Sequence, residues 1–291
     1  HGVKKCKGTT TACQQLQARI VQSMDKGEFV AMGSLDITAA FDVVNVELLM
    51  KRVRRKGVPE DFAQLTEEWL TDRQAYVEVG SECSAYYNVD NGTVQGSCMG
   101  PVLFCIFISP IIEAEGLIAY ADDSYAFQTG RDSVGVVQRL EEKMQATVRW
   151  FKASGLKVNE AKTEFIIFHH RDTADSTIRI GEAKIKSMST IKVLGLIFDS
   201  KMEWDATVDK LTTSARKASQ GLQLIRRFFD EKERLTLITS LVYSKLYYGA
   251  LVWLLPTLKK KLINKLYSMS GSALKLVSPA LSYRELHKKY N

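Results

Sequence analysis

No apolar run in this 291-residue chain approaches the roughly 18 residues that a membrane-spanning helix needs, so no span and no membrane partner is expected. Cysteine is sparse: Cys6, Cys13, Cys83, Cys98 and Cys105 form no CxxC pair, and their number is odd. A disulfide framework and a structural zinc site are therefore disfavoured, and a reduced, intracellular setting is expected. Cys98 and Cys105 lie in an apolar stretch, where a free thiol behaves as a small hydrophobe. No internal repeat or low-complexity linker interrupts the chain. His169 and His170 lack a ligand partner at metal spacing and read as surface or loop residues. The chain opens on His1 rather than Met, and its charged start is not followed by an apolar signal core. It is expected to be a piece of a longer protein.

What is present is the composition of an ordinary globular protein, 45% hydrophobic and 25% charged, in one large domain or two smaller ones. The net charge of +7 is unevenly placed. From Lys201 onward there are 17 Lys and Arg against 7 Asp and Glu, while the first 200 residues are slightly acidic. A basic section beside a mildly acidic body suits a phosphate backbone as partner, and equally a solvated helical surface.

Apolar periodicity predicts a helix over Thr11–Lys26, with Leu16, Ile20, Val21 and Met24 inward and Gly27 as its stop. Phe29–Leu35 reads as a buried strand ending at Asp36. Helices are predicted near Val46–Arg55 and Asp61–Leu70, then a β-hairpin over Ala75–Val89 turning at Gly80. Met99–Ala114 is apolar on nearly every face and predicts a helix inside the core. Leu117–Phe127 reads as two short strands joined at Asp122 and Asp123. A long amphipathic helix follows from Val134 to Ser154. Strands at Glu164–Phe168, Thr177–Ile180 and Ile191–Phe198 are expected to complete an antiparallel sheet. Beyond Trp204 the pattern is helical, over 206–229, 231–255 and about 258–277. The four tryptophans read as packing residues.

Three aspartates, Asp36, Asp122 and Asp123, stand at the ends of apolar strands. Desolvating an unpaired carboxylate is costly, and adjacent carboxylates repel. A divalent cation relieves both problems, and a pair of Mg²⁺ ions roughly 3.5–4 Å apart is the arrangement that serves in-line phosphoryl transfer. An Asp-Asp dipeptide taken alone is more commonly a hairpin-turn pair. The surrounding residues decide between the readings. Leu35-Asp-Ile-Thr-Ala-Ala-Phe-Asp42, Gly92-Thr-Val-Gln-Gly-Ser-Cys-Met-Gly-Pro-Val-Leu-Phe104, Tyr120-Ala-Asp-Asp123, Gly155-Leu-Lys-Val-Asn-Glu-Ala-Lys-Thr-Glu164 and Val193-Leu-Gly-Leu-Ile-Phe198 resemble, in order and spacing, the five palm motifs of reverse transcriptases of non-LTR retrotransposons. The opening residues 1–10 resemble the segment that precedes that palm.

The resemblance implies an α/β (α+β) fold: a right-hand polymerase palm with an antiparallel sheet packed on helices, partial fingers and a helical thumb. Its expected divisions are residues 1–30 for a partial fingers segment, 31–200 for fingers and palm, and 201–291 for the thumb. It implies an RNA-directed DNA polymerase that joins a dNTP to the 3′-hydroxyl of a DNA primer on an RNA template. Asp36, Asp122 and Asp123, with the Ile37 carbonyl, would hold two Mg²⁺ ions, with Mn²⁺ as a substitute. Lys162 would protonate or neutralise the pyrophosphate leaving group. Phe41 would stand against the sugar of the incoming nucleotide; without the resemblance it reads as a core phenylalanine. Gln95 and Gly96 would contact nucleotide and template, with Val94 where the family often has Pro. Asp42 is expected to be structural. Leu194 and Gly195 would grip the primer end, and Arg216 and Lys217 would meet the nucleic-acid backbone.

The expected places of action are the cytoplasm, as a ribonucleoprotein, and the nucleus, for target-primed synthesis. Finger strands whose Lys and Arg hold the triphosphate would lie upstream of His1, so this chain alone is expected to bind primer–template and extend it poorly. The competing expectation is a truncated or domesticated remnant that binds nucleic acid without polymerising.

Overall fold

The computed structural model describes residues 7–279 and 281–290. It falls into two compact units, one running through Ser189 and the other starting at Thr190.

In chain order the first unit contains α1 (Thr9–Asp25), β1 (Phe29–Leu35), β2 (Ile37–Thr38), α2 (Val46–Arg55), α3 (Glu60–Leu70) and a small arm built from β3 (Arg73–Ala75), β4 (Glu78–Val79), β5 (Glu82–Cys83) and β6 (Tyr87–Val89). Then come α4 (Gly100–Glu115), β7 (Ile118–Tyr120), β8 (Asp123–Gly130), α5 (Ser133–Ala153), β9 (Lys157–Val158), β10 (Glu164–Phe168), β11 (Thr177–Ile180) and β12 (Ala183–Met188).

Six strands form the main sheet in the order β11-β12-β10-β1-β8-β7. β1 lies between β8 and β10 and is antiparallel to both. Its run Phe-Val-Ala-Met-Gly-Ser-Leu is nearly all apolar because both faces are covered. Ala31 and Leu35 join a core with Leu140 and Met144 of α5 and with Phe165 and Ile167 of β10. Val30 and Met32 alternate to the other face and are equally buried, and α1 packs against β1. α5 crosses closely because β1 has glycine at Gly33; a Cβ there would overlap the Met144 thioether. α5 is started by Asp132, whose carboxylate accepts from the Val134 and Gly135 amides.

The sheet departs from the antiparallel expectation at one pair. β10 runs parallel to β12, and β12, not Ile191–Phe198, is its neighbour. The Ala-Lys-Ile-Lys-Ser-Met alternation of β12 carries a strand's period of two. It folds back onto β11 through the two-residue turn Gly181–Glu182, where Gly181 has φ +61°. Of the surface and loop readings of His169 the loop one holds: it follows β10 but is buried, its ring stacks on Phe29 at 4.0 Å, and its Nδ1 accepts from the Arg171 amide. Of the tryptophans, Trp204 and Trp253 are buried while Trp69 is exposed on α3 with Phe62 and Leu65.

The second unit contains β13 (Thr190–Val193), β14 (Leu196–Asp199), α6 (Asp205–Ile225), α7 (Glu231–Ile238), α8 (Ser244–Leu246), α9 (Ala250–Trp253), α10 (Lys260–Leu274) and α11 (Tyr283–Tyr290). The segment expected to be one strand at Ile191–Phe198 is the hairpin β13–β14. It belongs with the helices: Thr207 Oγ1 of α6 donates to the Ile197 carbonyl at 2.6 Å and accepts from the Ile197 amide at 2.8 Å. The division of the chain accordingly falls between Ser189 and Thr190, ahead of Ser200. The single helix expected over 231–255 is broken. α7 runs into a π-helical turn at Thr239–Tyr243, and Gly249, at φ +64°, ends the helical path before α9.

Burial sorts the thiols. Cys13 is enclosed in the core, which pushes its thiol up to about 12, whereas Cys83 and Cys98 are exposed. At pH 8 an alkylating reagent should label Cys83 and Cys98 in the native protein and leave Cys13 unmodified until denaturant is added, with peptide mass spectrometry as the readout. Labelling of Cys13 at the rate of Cys83 in native protein would contradict this packing.

Candidate active site

The end of β1 and the β7–β8 hairpin bring acidic residues to one end of the sheet. The ladder between β1 and β8 closes at Leu35 and Ser124, and Asp36 and Asp123 are the next residues beyond that pair. β7 and β8 pair as far as Tyr120 and Asp123, leaving a two-residue turn, Ala121–Asp122. Ala121 adopts φ +53°, a left-handed conformation that costs a non-glycine residue about 1 kcal/mol. Ala39, in the loop after β2, does the same at φ +47°. Strain of this kind gathers at functional sites.

A cavity of about 300 Å³ opens here, lined by Asp36, Ile37, Thr38, Ala39, Phe41, Asp42, Gln95, Asp122, Asn159 and Lys162. Asp36 is held from behind: Ile37 and Thr38 pair with Val158 and Lys157 of β9, and the Asn159 amide donates to the Asp36 carbonyl at 2.8 Å. A 3₁₀ turn at Glu160–Lys162 then returns Lys162 to the same carboxylate, with Nζ 3.4 Å from Asp36 Oδ2. With the lysine side chain 69% exposed, solvent screens this pair and its contribution to stability is at most about 1 kcal/mol. Its effect is on the charge of the cavity.

The opposite wall is a strap. The Gly92 amide donates to the Val44 carbonyl and the Thr93 amide to the Phe41 carbonyl, each at 2.7 Å. Arg73 Nη2 donates to the carbonyls of Asn91 and Gly92 at 2.7 and 2.8 Å. Gln95, next along the strap, donates from Nε2 to Asp42 Oδ1. Phe41 is half-buried, packs against Phe104 with ring centroids 4.8 Å apart, and also lines the cavity.

The structure thus gathers Asp36, Ile37, Phe41, Gln95, Asp122 and Lys162 around one cavity. Asp123, first residue of β8, and Gly96, at φ +81°, lie outside its lining. Leu194, Gly195, Arg216 and Lys217 belong to the second unit. Asp42, expected to be structural, accepts from Gln95 and lines the cavity, and the sequence does not single out Asn159, which lines it too. Each falls inside one of the quoted motifs, and that position was the only signal. Arg73 carried none, since its role depends on carbonyls far along the chain.

The carboxylates that line the cavity are oxygen donors, which suits a hard cation such as Mg²⁺ or Mn²⁺. Among the described residues, no three His, Cys, Asp or Glu side chains converge as a ready metal cluster. Three carboxylates, Asp36, Asp42 and Asp122, line the cavity; Lys162 stands as counter-ion to Asp36, and Gln95 donates to Asp42.

The pattern of the family described as "Reverse transcriptase (RNA-dependent DNA polymerase)" matches residues 5–198. The folded chain resembles a solved apo telomerase from Candida tropicalis, with a TM-score of 0.53 at 12% identity, covering 99% of this chain and 47% of that one. The fold is that of a right-hand polymerase, and the chain belongs to the reverse transcriptase family. Its relatives include the RNA-directed DNA polymerase from mobile element jockey of Drosophila melanogaster, 23% identical across 97% of this chain and 32% of that protein. The probable RNA-directed DNA polymerase from transposon BS of the same fly is 24% identical across the whole chain and 34% of that protein. The Pol polyprotein of the type-1 retrotransposable element R2 of Popillia japonica is 25% identical across 77% of the chain and 39% of that protein. These are non-LTR retrotransposon proteins, and the chain spans about a third of the length of the first two.

Gly92 is where the strap is least tolerant. It adopts φ +89°, and a Cβ would meet the Asp42 carbonyl oxygen at 2.7 Å. Gly92→Ala is expected to cost about 2 kcal/mol or more, from left-handed strain and a backbone clash together. Thermal denaturation against wild type measures it; an unchanged Tm would mean that the strap is not docked as described.

Proposed function

We propose that this chain is the polymerase core of a non-LTR retrotransposon reverse transcriptase, adding deoxynucleotides to a DNA primer on an RNA template by two-metal nucleotidyl transfer. The observation that carries the reading is the meeting of Asp36 and Asp122, from separate strand ends, in one cavity of a chain that belongs to the reverse transcriptase family. Asp36, Asp122 and Asp123, with the Ile37 carbonyl, are the residues that would hold the ions. Divalent cations held there would lower the pKa of the attacking hydroxyl and would offset charge on the transferred phosphate.

The chain's own residues do the rest. Lys162 balances Asp36 when no dication is present, and its exposed ammonium is free to turn toward a departing pyrophosphate. Phe41, backed by Phe104, offers a fixed ring edge to the nucleotide sugar. Gln95, oriented by Asp42, faces the base and the template. In the second unit, Arg216 has no ion-pair partner among the described residues, which leaves its charge available to a backbone phosphate.

Asp36→Asn and Asp122→Asn keep the shape and remove the charge. Each is expected to lower single-nucleotide extension on an RNA template by about a thousandfold, roughly 4 kcal/mol, while primer–template binding changes little. Extension within a few-fold of wild type by either variant would remove the metal roles. The remnant reading predicts the contrary pattern: tight duplex binding with no extension by the parent or by a longer product of the same reading frame.

Phe41→Ala tests the sugar contact separately. If the ring excludes the 2′-hydroxyl, the ratio of kcat/KM for dNTP over rNTP should fall by about tenfold or more, since a steric gate of this kind is worth 1–3 kcal/mol. An unchanged ratio would assign Phe41 to packing against Phe104 alone.

A further inference from the structure

The hairpin β13–β14 closes on Val193 and Leu196, so its turn is the two residues Leu194 and Gly195. Both are left-handed, at φ +45° and +92°. That is the geometry of a turn whose twist suits a hairpin, but the sequence it favours is Asn-Gly or Asp-Gly. A leucine, with its γ-branch, is a poor occupant of the first position, so the conformation has to be imposed from outside.

Two side chains impose it. Tyr248 donates its hydroxyl to the Leu194 carbonyl at 2.7 Å, and Lys210 of α6 donates from Nζ to the Gly195 carbonyl at 2.6 Å. The Tyr248 ring lies against Gly195, where a Cβ would meet its Cε1 at 3.1 Å. Tyr248 is fixed in turn: buried Trp253 donates its indole N–H to the Tyr248 carbonyl at 2.8 Å. The next residue, Gly249, passes so close to Leu196 that a Cβ would stand 2.9 Å from its side chain. With both turn carbonyls engaged, the Leu194 and Gly195 amides have no acceptor among the described residues. Burial, and after it the nearby Lys192 charge, lower the Lys210 pKa. Positive charge and unpaired N–H donors at one tip favour an anionic strand there.

We propose that Tyr248 and Lys210 are positioning residues that lock the Leu194–Gly195 turn in its left-handed form and so present its two amides to the sugar–phosphate backbone at the primer end. The proposal rests on the polymerase reading given above for the choice of ligand; the lock itself does not. Both residues bond the turn itself, so their part is to hold it. Their loss should therefore change how well the primer terminus is aligned, and leave nucleotide affinity and overall duplex affinity alone.

Tyr248→Phe removes one hydroxyl and keeps the ring. Three readouts follow on the 291-residue chain. Amide hydrogen exchange across residues 190–199 should quicken in the variant, with the rest of the chain unchanged. With 2-aminopurine at the 3′ end of a DNA primer on an RNA template, the bound complex should fluoresce more strongly in the variant, and the same probe placed inside the duplex should not respond. The single-turnover extension rate at saturating nucleotide should fall by about tenfold, with nucleotide KM and duplex Kd unmoved, because small misalignments of reacting atoms carry large rate penalties. Adding Leu194→Asn to Tyr248→Phe supplies a residue that prefers the left-handed region, and should restore all three toward wild type. Exchange unchanged in Tyr248→Phe, or no rescue by Leu194→Asn, overturns the lock. A change in exchange without any change at the primer-end probe overturns its link to the primer. If neither the parent chain nor a longer product of the same reading frame extends the duplex it binds, the polymerase reading fails, while the exchange and fluorescence arms still decide the proposal.

Discussion

Much of the first unit follows from the burial of β1 on both faces. A strand covered by α1 on one side and α5 on the other, and paired along both edges, has no place for a charge until it leaves the sheet. Its first ionisable residue is Asp36, immediately past the last buried position. The neighbouring hairpin obeys the same rule, with apolar β7 giving way to acidic residues only at its turn. Solvation cost thus confines the carboxylates to one end of the sheet, and the cavity forms where they are allowed to be. Everything else at the site is supported from this frame: Lys162 through β9, Phe41 and Asp42 through the loop after β2, and Gln95 through a strap tied to that loop.

The second unit is organised by side chains reaching carbonyls, where the first relies on backbone ladders. Thr207 is bonded to both backbone groups of Ile197, Asp199 accepts from the amides of Lys201, Glu203 and Trp204, and Lys259 pairs with Glu203 and Asp205. A two-stranded hairpin alone is marginal in water. These bonds and the buried pair Phe198 and Trp204 give it the support that a sheet would otherwise supply. That explains why the hairpin groups with the helices.

Elements with a strong period were legible in the sequence. α1, α2, α3, α4 and α5 fall within a few residues of their expected spans, because each carries a clear apolar face or caps such as Asn45 and Asp132. β12 was missed because lysines at alternate positions mask a strand that has one exposed face. The break between α7 and α9 has little local signal because Gly249 stands inside a continuous apolar run, and its close approach to Leu196 is a contact distant in sequence. At the site, motif order groups Asp36, Asp122, Phe41, Gln95 and Lys162, and these five line one cavity. The contact of Lys162 with Asp36, the Asp42–Gln95 bond and the clasp of Arg73 on the strap are tertiary facts with no local sequence cause.

The attachment of Lys162 has a mechanical meaning. The β2–β9 pairing and the bond from the Asn159 amide to the Asp36 carbonyl join residues 36–38 and 157–162 into one small piece. The acid and its counter-charge are therefore mounted on the same part of the framework. When that part tilts, the ammonium tilts with it. While the ion pair is made, the carboxylate is not left uncompensated by such a movement.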